Sequence, residues 1–180
     1  MNDMTAIEAL FDEDCAADTE IRGHLSLLRK LSALCEEVAE LGTREGRSTV
    51  ALIAGGPRRV SSYDLHECPR RPQIADAALA AGVRWDFHIG DSRRADLHPV
   101  DLLFVDTCHN LAHTSEELGR YAHLVRQYLV FHDTETYGWR GDDGREGVWQ
   151  AIARLVKTTR QWRLLLHREE SWGLTVLERV

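Results

Sequence analysis

The stretch Glu40-Leu41-Gly42-Thr43-Arg44-Glu45-Gly46-Arg47-Ser48 joins the end of a short apolar strand to the start of a helix through two glycines. Upstream, Glu37–Leu41 reads as the strand; downstream, 48–54 reads as the helix, stopped by Gly55-Gly56-Pro57. Glycine at 42 and 46 lets the backbone approach a ligand closely, and the helix that follows presents unpaired N–H groups. The spacing is GxxxG. It is therefore neither the GxGxxG of dinucleotide-binding turns nor a phosphate-cradling loop, which needs Gly-Lys-Ser/Thr after four intervening residues. On spacing alone, a purely structural turn and a ligand site both stay open.

Working outward, Ile21, Leu25, Leu28, Leu31 and Leu34 recur at helical spacing and predict a helix over 18–35, with Asp18 as its N-cap. Further strands are expected at 60–64, 85–89, 101–106 and 128–132, with helices over 72–81 and 110–125. The run Asp101-Leu102-Leu103-Phe104-Val105-Asp106 is continuously apolar between its two acids, as a central parallel strand covered on both faces should be. Strand and helix alternate five times, which predicts an open α/β sheet with helices on both faces. The end breaks this rhythm. After a helix over 147–157, strands at 162–167 and 174–178 form a hairpin through Glu170-Ser171-Trp172-Gly173, so at least one of them runs antiparallel to the rest.

The 180 residues suffice for one domain closed by a single core, read here as 18–180 behind an acidic arm at 1–17. Phe11-Asp12-Glu13-Asp14 interrupts a weak apolar pattern, and the arm is expected to be solvated and partly mobile. A net charge of −7 excludes a nucleic-acid backbone as the main partner, since that role needs a basic surface. Cys15, Cys35, Cys68 and Cys108 show no CxxC pair, which suits free thiols in a reducing compartment. The chain begins without a signal-peptide pattern and has no run near the roughly 20 apolar residues a membrane span needs, so a cytoplasmic location is expected.

The strand ends carry the chemistry. Asp64 closes the second strand about twenty residues after the glycine turn, where a carboxylate can accept hydrogen bonds from both hydroxyls of a ribose. Gly90-Asp91-Ser92 closes the third and would lie near a base beyond that ribose. Together they favour a nucleoside-containing ligand, although Asp64 as a plain solvated strand end stays open. Asp106 and His109 follow the fourth strand, and His132 and Asp133 the fifth, so the four are expected to share one cleft. Two carboxylates from adjacent strand ends suit a hard divalent cation, and imidazole suits manganese, iron or zinc better than magnesium. His109-Asn110-Leu111-Ala112-His113 has two histidines four apart, but a zinc protease needs glutamate where Asn110 stands. His109 hydrogen-bonded to Asp106 at a helix start is the structural alternative. In the irregular stretch 134–146, Tyr137 and Trp139 could stack on a ligand or sit in a disordered loop, while Trp149, Trp162 and Trp172 suit packing.

The ordered set of these pieces resembles the class I S-adenosylmethionine-dependent methyltransferases. More narrowly it is similar to the group of cephalosporin hydroxylase-like proteins and metal-dependent sugar O-methyltransferases of macrolide biosynthesis. The pieces are the run from Glu40 to Ser48, then Asp64, Gly90-Asp91-Ser92, Leu103-Phe104-Val105-Asp106-Thr107-Cys108-His109, Val130-Phe131-His132-Asp133-Thr134 and Gly173-Leu174-Thr175-Val176-Leu177-Glu178-Arg179. They cover roughly 20–180. The resemblance implies a Rossmann-like, seven-stranded, mostly parallel sheet with an antiparallel C-terminal hairpin and helices on both faces. It implies S-adenosyl-L-methionine held by Glu40, Gly42, Thr43, Arg44, Gly46, Ser48, Asp64, Leu65, Asp91, Ser92, Asp106 and Thr107. It further implies His109 as general base and a divalent cation, magnesium or manganese, on Asp106, Asp133 and His132. His132 stands where those relatives usually carry an acid, which weakens magnesium. The implied reaction is O-methylation of a small hydroxylated acceptor, a sugar or specialised metabolite; a homo-oligomer is left open. Val125-Arg126-Gln127-Tyr128 replaces the family's Pro-Gly-Gly-type turn, and no insertion forms an acceptor domain. Those departures support the alternative of a non-catalytic donor-binding or scaffold module. A nicotinamide-dependent oxidoreductase is weakened by the absent GxGxxG.

Overall fold

The structure is a computed structural model that describes residues 5–180. Seven strands form one sheet: β1 Glu37–Leu41, β2 Arg59–Asp64, β3 Arg84–Ile89, β4 Val100–Val105, β5 Val125–His132, β6 Trp162–Arg168 and β7 Leu174–Arg179. Their order is β3-β2-β1-β4-β5-β7-β6. Strand β7 is antiparallel to both its neighbours, so it alone runs against the others. The order reverses between β1 and β4, and a crevice opens there at the carboxyl ends of the strands.

The helices are α1 Ala6–Ala16, α2 Arg22–Ser32, α3 Arg47–Ala54, α4 Arg71–Ala80, α5 Leu111–Tyr121 and α6 Val148–Thr159. Two apolar cores explain why both faces are covered. One gathers Leu25, Leu28, Val50, Ile53 and Ile74 from α2, α3 and α4 over Val38, Leu102, Phe104 and Val130. The other gathers Leu118, Ala151 and Ile152 from α5 and α6 over Leu41, Leu103, Val105, Leu129 and Phe131. Along β4, Leu102 and Phe104 enter the first core and Leu103 and Val105 the second, and all six residues of the strand are buried.

Three boundaries differ from the sequence reading. The segment expected as a solvated arm is helix α1 (residues 1–4 of it lie outside the described residues). The Thr5 side chain caps it, Ile7 and Phe11 are buried one turn apart, and Asp14 is buried on the next turn. Helix α2 starts four residues later than expected, and Asp18 instead lies outside it, paired with Arg22 at 3.5 Å. It also ends early, at Ser32, which leaves Leu34 63% exposed rather than in the core. Helix α5 gives way to β5 at Val125, three residues before the expected strand, and no helix crosses 122–125 as an α-helix.

Candidate active site

The glycine turn packs directly on the end of β4. Gly42 has φ +88°, and a Cβ there would lie 1.8 Å from the carbonyl oxygen of Asp106. Only glycine fits. The turn is braced from β2: the backbone N–H groups of Thr43 and Arg44 both donate to Oδ2 of Asp64 at 2.8 Å, and His66 N–H donates to Oδ1 at 2.9 Å. Burial pushes the Asp64 carboxyl up, but these three N–H donors outweigh it and hold it below its ordinary value. Beneath the turn, Glu40 is fully buried and accepts a 2.6 Å bond from the Thr49 hydroxyl. Its burial pushes its pKa up to about 7 against the hydroxyls of Ser48, Thr49 and Ser62.

Strands β4 and β5 bring two carboxylates and two imidazoles together. His109 Nε2 lies 3.2 Å from Asp106 Oδ1 and 3.0 Å from Asp133 Oδ2. His132 Nδ1 lies 3.4 Å from Asp106 Oδ1 and 3.1 Å from Asp133 Oδ1. The other ring nitrogen of His132, Nε2, donates to the Ser171 carbonyl at 3.1 Å, which turns Nδ1 towards the carboxylates; burial would push this imidazole down, yet Asp106 and Asp133 raise its pKa. Burial would push His109 down, yet Asp106 and Asp133 together raise it to about 10. Burial likewise opposes the ionised Asp106, and the two histidines reverse this and hold its pKa well below the carboxylate range. Asp106, His109 and Asp133 offer ligand atoms that all lie within 4.8 Å of one another.

The stretch 134–146 folds back onto this cluster. Asp142 accepts the His109 backbone N–H at 2.9 Å and the Asn110 side-chain amide at 3.1 Å. Tyr137 stacks on the His109 ring, with centroids 5.0 Å apart and planes at 13°. Trp172 meets Tyr137 edge-on at 6.5 Å. The turn carrying Trp172 has three successive positive φ angles, 50° at Ser171, 68° at Trp172 and 93° at Gly173. Backbone N–H groups of Glu135 and Thr136 donate to the Trp172 carbonyl at 2.9 and 3.1 Å and hold it there. The result is a cleft of about 510 Å³ running from the glycine turn past Asp64 to the Asp106–Asp133 cluster and the Tyr137–Trp172 wall.

No protein-family model matches the chain, and no curated protein does. Solved structures do. An O-methyltransferase from Bacillus cereus in complex with S-adenosylhomocysteine (SAH) is 17% identical over 97% of this chain and 90% of its own, with a TM-score of 0.67. The O-methyltransferase TomG from Streptomyces achromogenes, involved in tomaymycin synthesis and solved with S-adenosylmethionine, is 21% identical over 97% and 89%, with a TM-score of 0.68. The N-methyltransferase NodS from Bradyrhizobium japonicum is 15% identical over 97% and 98%, with a TM-score of 0.61. The fold is that of the class I methyltransferases.

Within this methyltransferase fold, the expected residues divide. Gly42, Thr43, Arg44, Ser48, Asp64, Asp106 and Thr107 line the cleft, as do His109, His132 and Asp133. Glu40, Gly46, Leu65, Asp91 and Ser92 do not line it, each for a physical reason. Glu40 lies under the turn, and Gly46 (φ +80°) turns inward against Ile74 and Cys68. Leu65 is 61% exposed outside the cleft. The Asp91 carboxylate is taken by Arg93 at 2.8 and 3.0 Å, and the Ser92 hydroxyl donates to buried Glu117 at 2.6 Å. Trp139 points outward and is 76% exposed, whereas Trp172, expected only to pack, forms part of the wall. Thr19, Glu20, Ile21, Glu45 and Arg47 also line the cleft and were not among the expected site residues, and Asp142 of the irregular stretch 134–146 joins them. Seeing the first three required α1, which brings the 17–21 segment back over the glycine turn.

Proposed function

We propose that this protein is an S-adenosylmethionine-dependent methyltransferase that methylates an oxygen of a small hydroxylated acceptor. The observation that carries the reading is one cleft, at the reversal of strand order, holding the glycine turn, Asp64 and the Asp106–His109–Asp133 cluster together. Asp64 has one lone-pair site left, on Oδ1, for a ribose hydroxyl beside the turn it braces. The sulfonium end of the donor then falls beside Asp106, and the edge-on pair Tyr137 and Trp172 provides an aromatic corner for the acceptor. SN2 transfer needs the acceptor oxygen aligned with the methyl carbon, so the main contribution of the cleft is alignment.

The donor set fits a divalent cation. Asp106 and Asp133 supply hard oxygens, and Oδ1 of Asp133 and Nδ1 of His132 are buried without hydrogen-bond partners. Bound to Asp106, Asp133 and His132 or His109, such a cation would supply orientation of the acceptor oxygen and a lower hydroxyl pKa. His109 can take the hydroxyl proton only in its neutral form, which the two carboxylates disfavour until their charge is otherwise balanced. No helix among the described residues is long and apolar enough to cross a membrane.

The test is methyl transfer from labelled S-adenosylmethionine to a panel of phenols and glycosides, with and without magnesium or manganese. The expected result is transfer that metal strengthens and His109→Ala abolishes while SAH affinity is kept. Undiminished transfer by His109→Ala removes it as base. Donor binding with no transfer to any acceptor fits the non-catalytic module instead.

A further inference from the structure

Helix α1 reaches the donor end of the cleft through one buried carboxylate. Asp14 is fully buried where α1, α3 and α4 meet, and its Oδ1 accepts 2.7 Å bonds from Nη1 of Arg47 and Nη1 of Arg70. Arg47 is the first residue of α3 and lines the cleft beside Ser48. Its Nε is fixed at a second point by Glu45, at 3.2 Å. With Nη1 and Nε both engaged, the guanidinium is held in place, and Nη2 makes no hydrogen bond among the described residues.

A buried ion pair is a weak source of stability, because desolvation offsets much of the attraction. Here Oδ2 of Asp14 and Nη2 of Arg70 are also buried without partners, so the arrangement does not even satisfy its own polar atoms. Holding an arginine in position is a better account of it. Glu20, in the connection between α1 and α2, pairs with Arg44 of the glycine turn, so this one segment holds both arginines at this end. The opposite end carries Asp106, Asp133 and Asp142. Glu20, Glu45 and Asp64 line this end as well, so no net field selects an anion there; what singles out Arg47 is its spare Nη2 donor, to which an anionic group of a ligand in the cleft can make a charge-assisted hydrogen bond.

We propose that Asp14 is a positioning residue that holds Arg47 ready for the α-carboxylate of the donor's amino-acid tail, so that docking of α1 and binding of that tail are coupled. The proposal rests on the S-adenosylmethionine reading of the cleft.

The experiment compares two probes on the full chain by calorimetry: SAH, and 5′-methylthioadenosine, which keeps the nucleoside and thioether but lacks the amino-acid tail. Arg47→Gln should weaken SAH about tenfold or more and leave 5′-methylthioadenosine unchanged, as loss of a charge-assisted bond predicts. Asp14→Asn should weaken SAH about threefold or more, again without touching 5′-methylthioadenosine, and should add nothing in the Arg47→Gln background. Arg70→Gln, which removes the other partner of Asp14, should keep the wild-type ratio of the two affinities. Hydrogen exchange on the unaltered chain gives an independent readout: saturating SAH should slow exchange in α1 more than saturating 5′-methylthioadenosine. Equal losses for both probes in Arg47→Gln, no loss for either, or equal protection of α1 by both probes overturns the proposal, whether or not Asp14→Asn folds. If the wild-type chain binds neither probe, it is the donor reading itself that fails.

Discussion

Glu40→Gln should remove a pH-dependent weakness from beneath the glycine turn. Glu40 is fully buried, and burial raises its pKa from 4.5 to about 7. Below pH 4.5 the group is protonated in both folded and unfolded chains. Between 4.5 and about 7 the unfolded chain releases the proton first, so stability falls as pH rises through that window and then levels. The gap between the two values corresponds to about 3 kcal/mol. Glutamine keeps an oxygen for the Thr49 hydroxyl and offers its amide to the hydroxyl oxygens of Ser48 and Ser62, which already surround the site. The assay is urea unfolding of both proteins at pH 5 and pH 8. About 2.5 kcal/mol of that gap falls between the two pH values, so with a slope of about 2 kcal/mol/M the midpoint difference between wild type and variant should change by about 1.2 M. His109, whose raised pKa also costs stability as pH rises above 6.5, is present in both proteins and cancels in the difference. Parallel pH profiles for the two proteins would refute the assignment of a buried, late-ionising Glu40.

Two further substitutions probe the turns at either end of the cleft. Gly42→Ala places a Cβ against the Asp106 carbonyl in a left-handed backbone, and should cost about 3 kcal/mol or more in urea unfolding together with SAH binding; a loss under about 1 kcal/mol would show that the β1–β4 junction yields easily. Ser171→Gly relieves a positive φ of 50° and should raise Tm by about 2–4 °C; a lower Tm would mean that Ser171 side-chain contacts outweigh the strain.

The strand ends were the legible part of this molecule. A parallel strand covered on both faces must be apolar throughout, so 101–106 announced the sheet centre, and adjacent strand ends necessarily brought Asp106, His109, His132 and Asp133 together. The reversed hairpin was legible because Ser171-Trp172-Gly173 separates two short apolar runs. Helix α1 was not, because its third buried residue is an aspartate whose partners, Arg47 and Arg70, come from far along the chain. The contribution of 19–21 to the cleft was hidden with it. Asp91 ends the third strand as expected, but its carboxylate is paired with Arg93, two residues on, a local contact that strand-end placement does not reveal. Glu40 carries the right residue type for a ligand contact, yet it points under the turn, towards Thr49, and does not line the cleft.

Isothermal calorimetry of the full chain with SAH, set beside the same titration with NAD, tests the central claim most directly. The cleft described here predicts saturable binding of one SAH per chain, displaced by S-adenosylmethionine and lost in Asp64→Ala, with no response to NAD. Saturation by NAD with no heat from SAH would contradict the account.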